Sequence, residues 1–169
     1  MNNKIALGGG CHWCTEAVFQ ALKGVEKVEQ GFVASTDKDA WFSEAVIVHF
    51  NTAIISLATL IEIHLHTHKS TSAHSMRHKY RSAIYTFNPI QWNKANTILS
   101  QLKAELDKKF ITKVFPFFKF EESREEFKNY YENNPKKPFC ERYISPKLEL
   151  LLHKFSKDVR ENFIFPKKE

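Results

Sequence analysis

The stretch that decides the fold is Lys4-Ile5-Ala6-Leu7-Gly8-Gly9-Gly10-Cys11-His12-Trp13-Cys14, which runs on into Thr15 to Leu22. Lys4 to Gly8 is a short apolar run ending in three glycines, the pattern of a buried strand and a tight turn. Cys11 to Leu22 carries Ala17, Val18, Ala21 and Leu22 at helical spacing, and Gly24 supplies a stop signal. Glycines at such a turn let the backbone approach a ligand closely. The unpaired N–H groups of the following helix start face an anion. A thiolate is such an anion, so Cys11 is expected to be acidic and nucleophilic.

Outward from this unit, Val25 to Val33 alternates and reads as a strand, and Ser35 to Ala40 reads as a loop. Glu44 to Phe50 is the clearest strand, with β-branched residues in alternation. Ser56 to His66 reads as a helix capped by Ser56. His66 to Arg81 reads as an irregular, His-rich loop, and Ser82 to Phe87 as a strand. Pro89 to Lys109 is a long helix with Pro89 in its first turn. Val114 to Phe120 reads as one strand, at an edge or bulge because of Pro116. Arg124 to Glu132 and Pro146 to Val159 read as helices. The order predicts an α/β (α+β) fold. It is a mixed sheet of the split β-α-β, ferredoxin-like type with helices on one face and a C-terminal helical segment.

The chain has 169 residues, 43% of them hydrophobic and 14% aromatic. That supports one domain over 1–169 with its own core and argues against disorder. Three cysteines are too few for a disulfide scaffold. No run is long enough to span a membrane, and no signal peptide is read at the N-terminus. A cytoplasmic location, where thiols stay reduced, is therefore expected, and a monomer is taken as the expected state. The net charge is +6, with lysines scattered apart from Lys136-Lys137 and Lys167-Lys168. Without a basic stripe or motif this reads as a solvated surface and not as a nucleic-acid site.

Three chemistries are open from the residues alone. Cys11 and Cys14 form a Cys-x-x-Cys pair at a helix start, which suits a thioredoxin-like redox dithiol. The same spacing serves zinc sites, but those need further ligands. His64, His66, His68, His74 and His78 make a His-rich tract that raises a metal-binding module as an alternative. Glu44, the only charge in the best strand, is a candidate acid if burial raises its pKa.

Four stretches in order resemble the A-type methionine sulfoxide reductases, over roughly residues 4–143. Gly10-Cys11-His12-Trp13 stands where that family has Gly-Cys-Phe-Trp. Ser43-Glu44-Ala45-Val46 stands at its His-Ala-Glu motif. Lys79-Tyr80-Arg81-Ser82-Ala83-Ile84-Tyr85 matches Gln-Tyr-Arg-Ser-Ala-Ile-Tyr. Asn134-Pro135 to Phe139-Cys140 resembles its Asn-Pro-x-Gly-Tyr-Cys ending. The resemblance implies reduction of the S epimer of methionine sulfoxide, free or in proteins, with no metal or organic cofactor and with thioredoxin as reductant. It implies Cys11 as nucleophile, Glu44 as acid, and Tyr80 as a hydrogen-bond donor to the sulfoxide oxygen. Trp13 and His12 become walls of the methyl pocket. Cys140, on a C-terminal segment spanning 121–169, becomes the thiol that resolves the sulfenic acid. Cys14 is the alternative resolving thiol, disfavoured on the expectation that one helical turn strains the bond.

The sequence departs from that family at several places. His12 replaces Phe, so the methyl pocket gains a polar wall, and a role for His12 as a base toward Cys11 is open. Ser75 aligns with an Asp. The loop Val33 to Trp41 is short and lacks a Tyr, and Phe127-Lys128 replaces Tyr-His.

Overall fold

A computed structural model describes residues 2–163; Lys167 and Lys168 lie outside the described residues. Strand β1 (Asn2–Gly8) leads through the glycine turn into helix α1 (His12–Gln20). Strands β2 (Val25–Ala34) and β3 (Ser43–Asn51) follow, then α2 (Leu57–Thr67), β4 (Ala83–Thr86) and α3 (Pro89–Leu106). Short strands β5 (Lys113–Pro116) and β6 (Lys119–Glu122) precede a one-turn helix α4 (Tyr130–Asn133). A π-turn, Cys140–Ile144, then runs into α5 (Ser145–Lys154). The six strands form one sheet in the order β5-β4-β1-β3-β2-β6. Its middle is the expected ferredoxin-like arrangement of antiparallel neighbours, and the parallel pair β4–β5 makes the sheet mixed.

Alternation explains how the sheet is buried on both faces. Ile5 and Leu7 of β1, Val46, Val48 and Phe50 of β3, and Ile84 of β4 pack with the helices in the main core. The intervening Ala6, Ala45, Ile47, Ala83 and Tyr85 point the other way into a second cluster with Phe115, Phe117 and Phe120. Period-two side chains allow both faces to be apolar, and each large buried side chain contributes about 1.5–3 kcal/mol.

The apolar run Val114 to Phe120 corrects the sequence reading. It forms two strands at opposite edges of the sheet, joined only by Phe117 and Phe118. The Phe117 amide donates to Thr86 O of β4 at 2.8 Å, and the next amide, of Phe118, donates to Ala34 O of β2 at 3.1 Å. The sheet therefore curls until its two sides share consecutive residues, and the Phe-rich second cluster fills the curl. Gly31 makes the crossing possible, since a Cβ there would lie 2.3 Å from Glu121 O.

Two predicted helices are also shorter than expected. Arg124 to Glu132 breaks at Asn129, whose φ of 54° ends a 3-10 turn before α4 begins. The last helix ends at Lys154 and yields to a 3-10 turn, Ser156–Asp158. The proposed segment boundary at 121 falls inside β6, so that segment starts as part of the sheet.

The His-rich tract braces the glycine turn. His64 Nε2 meets Gly8 O at 2.8 Å, and His68 bridges His64 O and Ser82 Oγ, with the two rings stacked 4.2 Å apart. A Cβ on Gly9 would lie 2.5 Å from the His68 ring. Among the described residues no three His, Cys, Asp or Glu side chains converge as a metal site, and no helix is long and apolar enough to cross a membrane.

Burial pushes the pKa of His64 down to about 4, and that of His68 falls for the same reason. The unfolded chain then binds more protons than the native one between its own histidine pKa and about 4. Stability should be full above the unfolded value and fall as the pH drops through this window, with His64 alone contributing about 3 kcal/mol. Urea unfolding from neutral to acid pH should show this decline. His64→Gln, which keeps an amide for Gly8 O, should flatten it; equal slopes for both proteins would contradict the bracing role.

Candidate active site

Register places Glu44 close to Cys11. Gly8 pairs with Ala45, so Glu44 sits where β1 leaves the sheet and turns toward α1. Cys11 is the N-cap of α1 and is half-buried. Glu44 is 5% exposed, and its Oε1 lies 3.4 Å from the backbone N of His12 and 3.2 Å from His12 Nε2. Its other oxygen, Oε2, is 3.6 Å from the Lys79 ammonium and has no hydrogen-bond partner.

The segment 79–81 is sewn onto the start of β3. Glu44 N and Ser43 Oγ both donate to Lys79 O, at 3.1 and 2.8 Å. Arg81 N donates to Ser43 Oγ at 2.7 Å. The buried Arg81 guanidinium then donates to Asp39 O and Trp41 O, tethering the loop before β3. These bonds carry Tyr80 to the mouth of a cleft of about 490 Å3, which Cys11, His12, Trp13 and Glu44 also line.

Trp13 forms the far wall. It stacks on Tyr130 at 3.9 Å, meets Phe139 edge-on at 5.3 Å and faces Phe127 at 5.8 Å. Buried Glu16 holds this wall by accepting the amides of Asn129 and Tyr130, and Gln30 donates to Phe127 O at 2.8 Å. Such an aromatic box suits a small apolar group beside a polar one. Phe127, Tyr130 and Phe139 escaped the sequence reading as site residues. Their clustering between 127 and 139 was the available signal.

The thiols gather behind the glycine turn. The Cys11 pKa is lowered, chiefly because the Cys14 thiol donates to it, with the Trp13 and Cys14 amides at the helix start adding to the effect. The Cys14 pKa is raised by the same hydrogen bond and by burial. One helical turn thus sets the Cys14 thiol to hydrogen-bond Cys11. Cys140 is buried in the main core at the start of the π-turn, and burial raises its pKa. Lys147, also missed from sequence, lines a second cleft of about 480 Å3 with Cys11 and Cys14 and donates to Thr67 O.

Residues 3–159 match the family model described as peptide methionine sulfoxide reductase. The chain belongs to that family. A "Peptide methionine sulfoxide reductase MsrA" of Chromobacterium violaceum is 34% identical over 90% of this chain and 96% of the relative. Mxr1 of Saccharomyces cerevisiae in its reduced form superposes with a TM-score of 0.71 at 20% identity, covering 82% of this chain and 89% of that one. Mxr1 in complex with Trx2 gives 0.60 at 20% identity, over 75% of this chain and 84% of that one. At these identities the two structures establish the shared fold.

The Cys14 contact has a direct test. In a background carrying Cys140→Ala, Cys11 should react with iodoacetamide with a midpoint below that of an ordinary thiol. Adding Cys14→Ala should move that midpoint upward by about one pH unit. An unchanged midpoint would show that Cys14 does not support the Cys11 thiolate.

Proposed function

We propose that the protein reduces the S epimer of methionine sulfoxide, free or within oxidised proteins. The single observation that carries this reading is the placement of a half-buried N-cap thiol and a buried carboxyl in one aromatic-walled cleft. A sulfoxide sulfur is a poor electrophile until its oxygen is protonated or strongly hydrogen-bonded, so thiolate and acid are the minimum set. The Cys11 thiolate attacks the sulfoxide sulfur while Glu44 gives a proton to the oxygen, and the Tyr80 hydroxyl donates a hydrogen bond to it. The hydroxyl then passes from the substrate sulfur to the Cys11 sulfur as the new S–S bond and the substrate S–O bond both break, so methionine leaves and Cys11 becomes a sulfenic acid. Substrate sulfur gains two electrons and Cys11 loses two. Trp13 packs against the substrate methyl group.

A second thiol then attacks the sulfenic sulfur, and water leaves with that thiol's proton. We assign this step to Cys140. Its burial in the core behind α1, beside Phe139 of the cleft, supports the assignment. The hydrogen bond between Cys14 and Cys11 favours a second reading in which Cys14 closes the disulfide. A thioredoxin-type dithiol is the proposed reductant, in keeping with the Trx2 complex of Mxr1. No step requires a metal or organic cofactor. The site draws on β1, β3 and the segment after β6, which supports reading residues 1–169 as one domain.

Incubation with dithiothreitol and both epimers of a methionine sulfoxide peptide should consume the S form only. Turnover of neither epimer would overturn the reading. Cys11→Ser should abolish activity, and Glu44→Gln should lower kcat about 10²–10⁴-fold. With thioredoxin as reductant, Cys140→Ser should stop after one turnover while Cys14→Ser continues; the reverse result would move the resolving role to Cys14.

A further inference from the structure

Cys11 stands where two clefts meet. Cys11, Tyr80 and Phe139 line both the cleft that holds Trp13 and Glu44 and the second cleft of about 480 Å3. The first cleft has the carboxyl and the aromatic wall. The second has a different chemistry: Lys69, His74 and Lys147 line it, and no Asp or Glu does. Met76 and Tyr143, each about half exposed, add apolar surface. Lys147 has unused capacity here. It is half-buried on α5, and its ammonium donates to Thr67 O at the end of α2. An ammonium has three N–H donors, so two remain. Among the described residues no carboxylate lies within ion-pair distance of Lys147 or Lys69. Burying a cation without a counter-charge is costly, and an arriving anion relieves that cost. The charged and titratable groups acting on Lys147 are the thiols of Cys14 and Cys11, and Lys69. Its hydrogen bond to Cys11, together with burial, keeps Cys14 a neutral thiol. The charge of a Cys11 thiolate is lost once that sulfur bonds to the substrate. The cleft is then left with cations and no anion.

We propose that the second cleft is a subsite for a carboxylate carried on the same molecule as the sulfoxide, with Lys147 and Lys69 as its cationic partners. The proposal rests on the reading of the first cleft as the sulfoxide site. A methionine sulfoxide side chain in the first cleft brings the rest of its molecule toward the junction at Cys11 and Tyr80, where the second cleft begins. A cleft of this volume has room for a neighbouring side chain. The carboxylate has two sources: an acidic residue beside the oxidised methionine, or the α-carboxylate of the free amino acid. Both present the same two acceptor oxygens to the same ammonium groups. The carboxylate takes no part in the sulfur chemistry, so its binding is equal in the ground and transition states. It therefore acts on KM and leaves kcat alone.

The test compares S-epimer peptides of one sequence, acetylated and amidated at their ends, in which the residues flanking the methionine sulfoxide are Glu, Gln or Lys. With dithiothreitol as reductant at low salt, kcat/KM should be about fivefold higher for Glu than for Gln, carried by KM, and lower again for Lys. Added salt should shrink the Glu-to-Gln ratio. Lys147→Gln should abolish the preference, and Lys69→Gln should reduce it. A second pair, N-acetyl-methionine sulfoxide and its methyl amide, reads the other source. A carboxylate preference in this pair alone assigns the subsite to the free amino acid, and one in the peptides alone assigns it to acidic neighbours. Equal kcat/KM for charged and neutral members of both sets overturns the proposal, as does a preference that survives both substitutions. If Lys147→Gln does not fold, Lys69→Gln decides: a reduced ratio supports the subsite and an unchanged ratio overturns it. Turnover of none of these substrates would fell the functional reading and the subsite with it, whereas turnover of all at equal kcat/KM fells the subsite alone.

Discussion

Everything at this site depends on where the Gly8 and Gly9 carbonyls find donors. They lie between the last ladder bond of β1 and the first turn of α1, where the backbone has left one hydrogen-bonding system before entering the next. Gly8 O is met by His64 Nε2, and Gly9 O by Arg77 Nη1 at 2.7 Å. Arg77 also donates to Tyr80 O at 2.9 Å. Arg77 therefore ties the turn that carries Cys11 to the segment that carries Tyr80. The His-rich tract, which suggested metal binding from composition, is built into this brace.

From the turn the rest follows by register. Pairing of Gly8 with Ala45 sets Glu44 beside the helix start, and the bonds of Ser43 and Glu44 to Lys79 O bring the third element alongside. The curl of the sheet adds the remaining wall. Because β6 crosses over Gly31 to pair with β2, the chain leaving it runs straight onto Trp13. Buried Glu16 on α1 then holds Asn129 and Tyr130 by their amides. An acceptor with two backbone donors in a buried setting anchors a loop more firmly than apolar contact alone.

The parts of this arrangement set by short-range chemistry were legible in the sequence. The glycine turn, the N-cap thiol, the β-branched alternation of β3 and the Ser56 cap each declare themselves within a few residues. So did the middle of the sheet, β4-β1-β3-β2, because it follows from β-α-β-β-α-β connectivity. The break at Phe117-Phe118 was not legible, since the apolar run continues through it and the two edges it joins lie far apart in the chain. The aromatic wall was missed for the same reason: Phe127, Tyr130 and Phe139 meet Trp13 only after the sheet has curled. His12 was singled out, but its partner was not, since Gly31 and Glu44 lie 19 and 32 residues away. The hydrogen bond from Cys14 to Cys11 was not read from the sequence, although the N-cap and the third helical residue lie one turn apart.

The central claim is that a thiolate at the helix start and an acid from β3 act on one sulfoxide within one cleft. The most direct measurement is a single turnover with a Cys14→Ala/Cys140→Ala variant, in which Cys11 is the only thiol. The account predicts one methionine formed per protein molecule from the S epimer, and a sulfenic acid trapped on Cys11 by dimedone and located by mass spectrometry. Formation of methionine without an adduct on Cys11, or an adduct formed equally from both epimers, would contradict it.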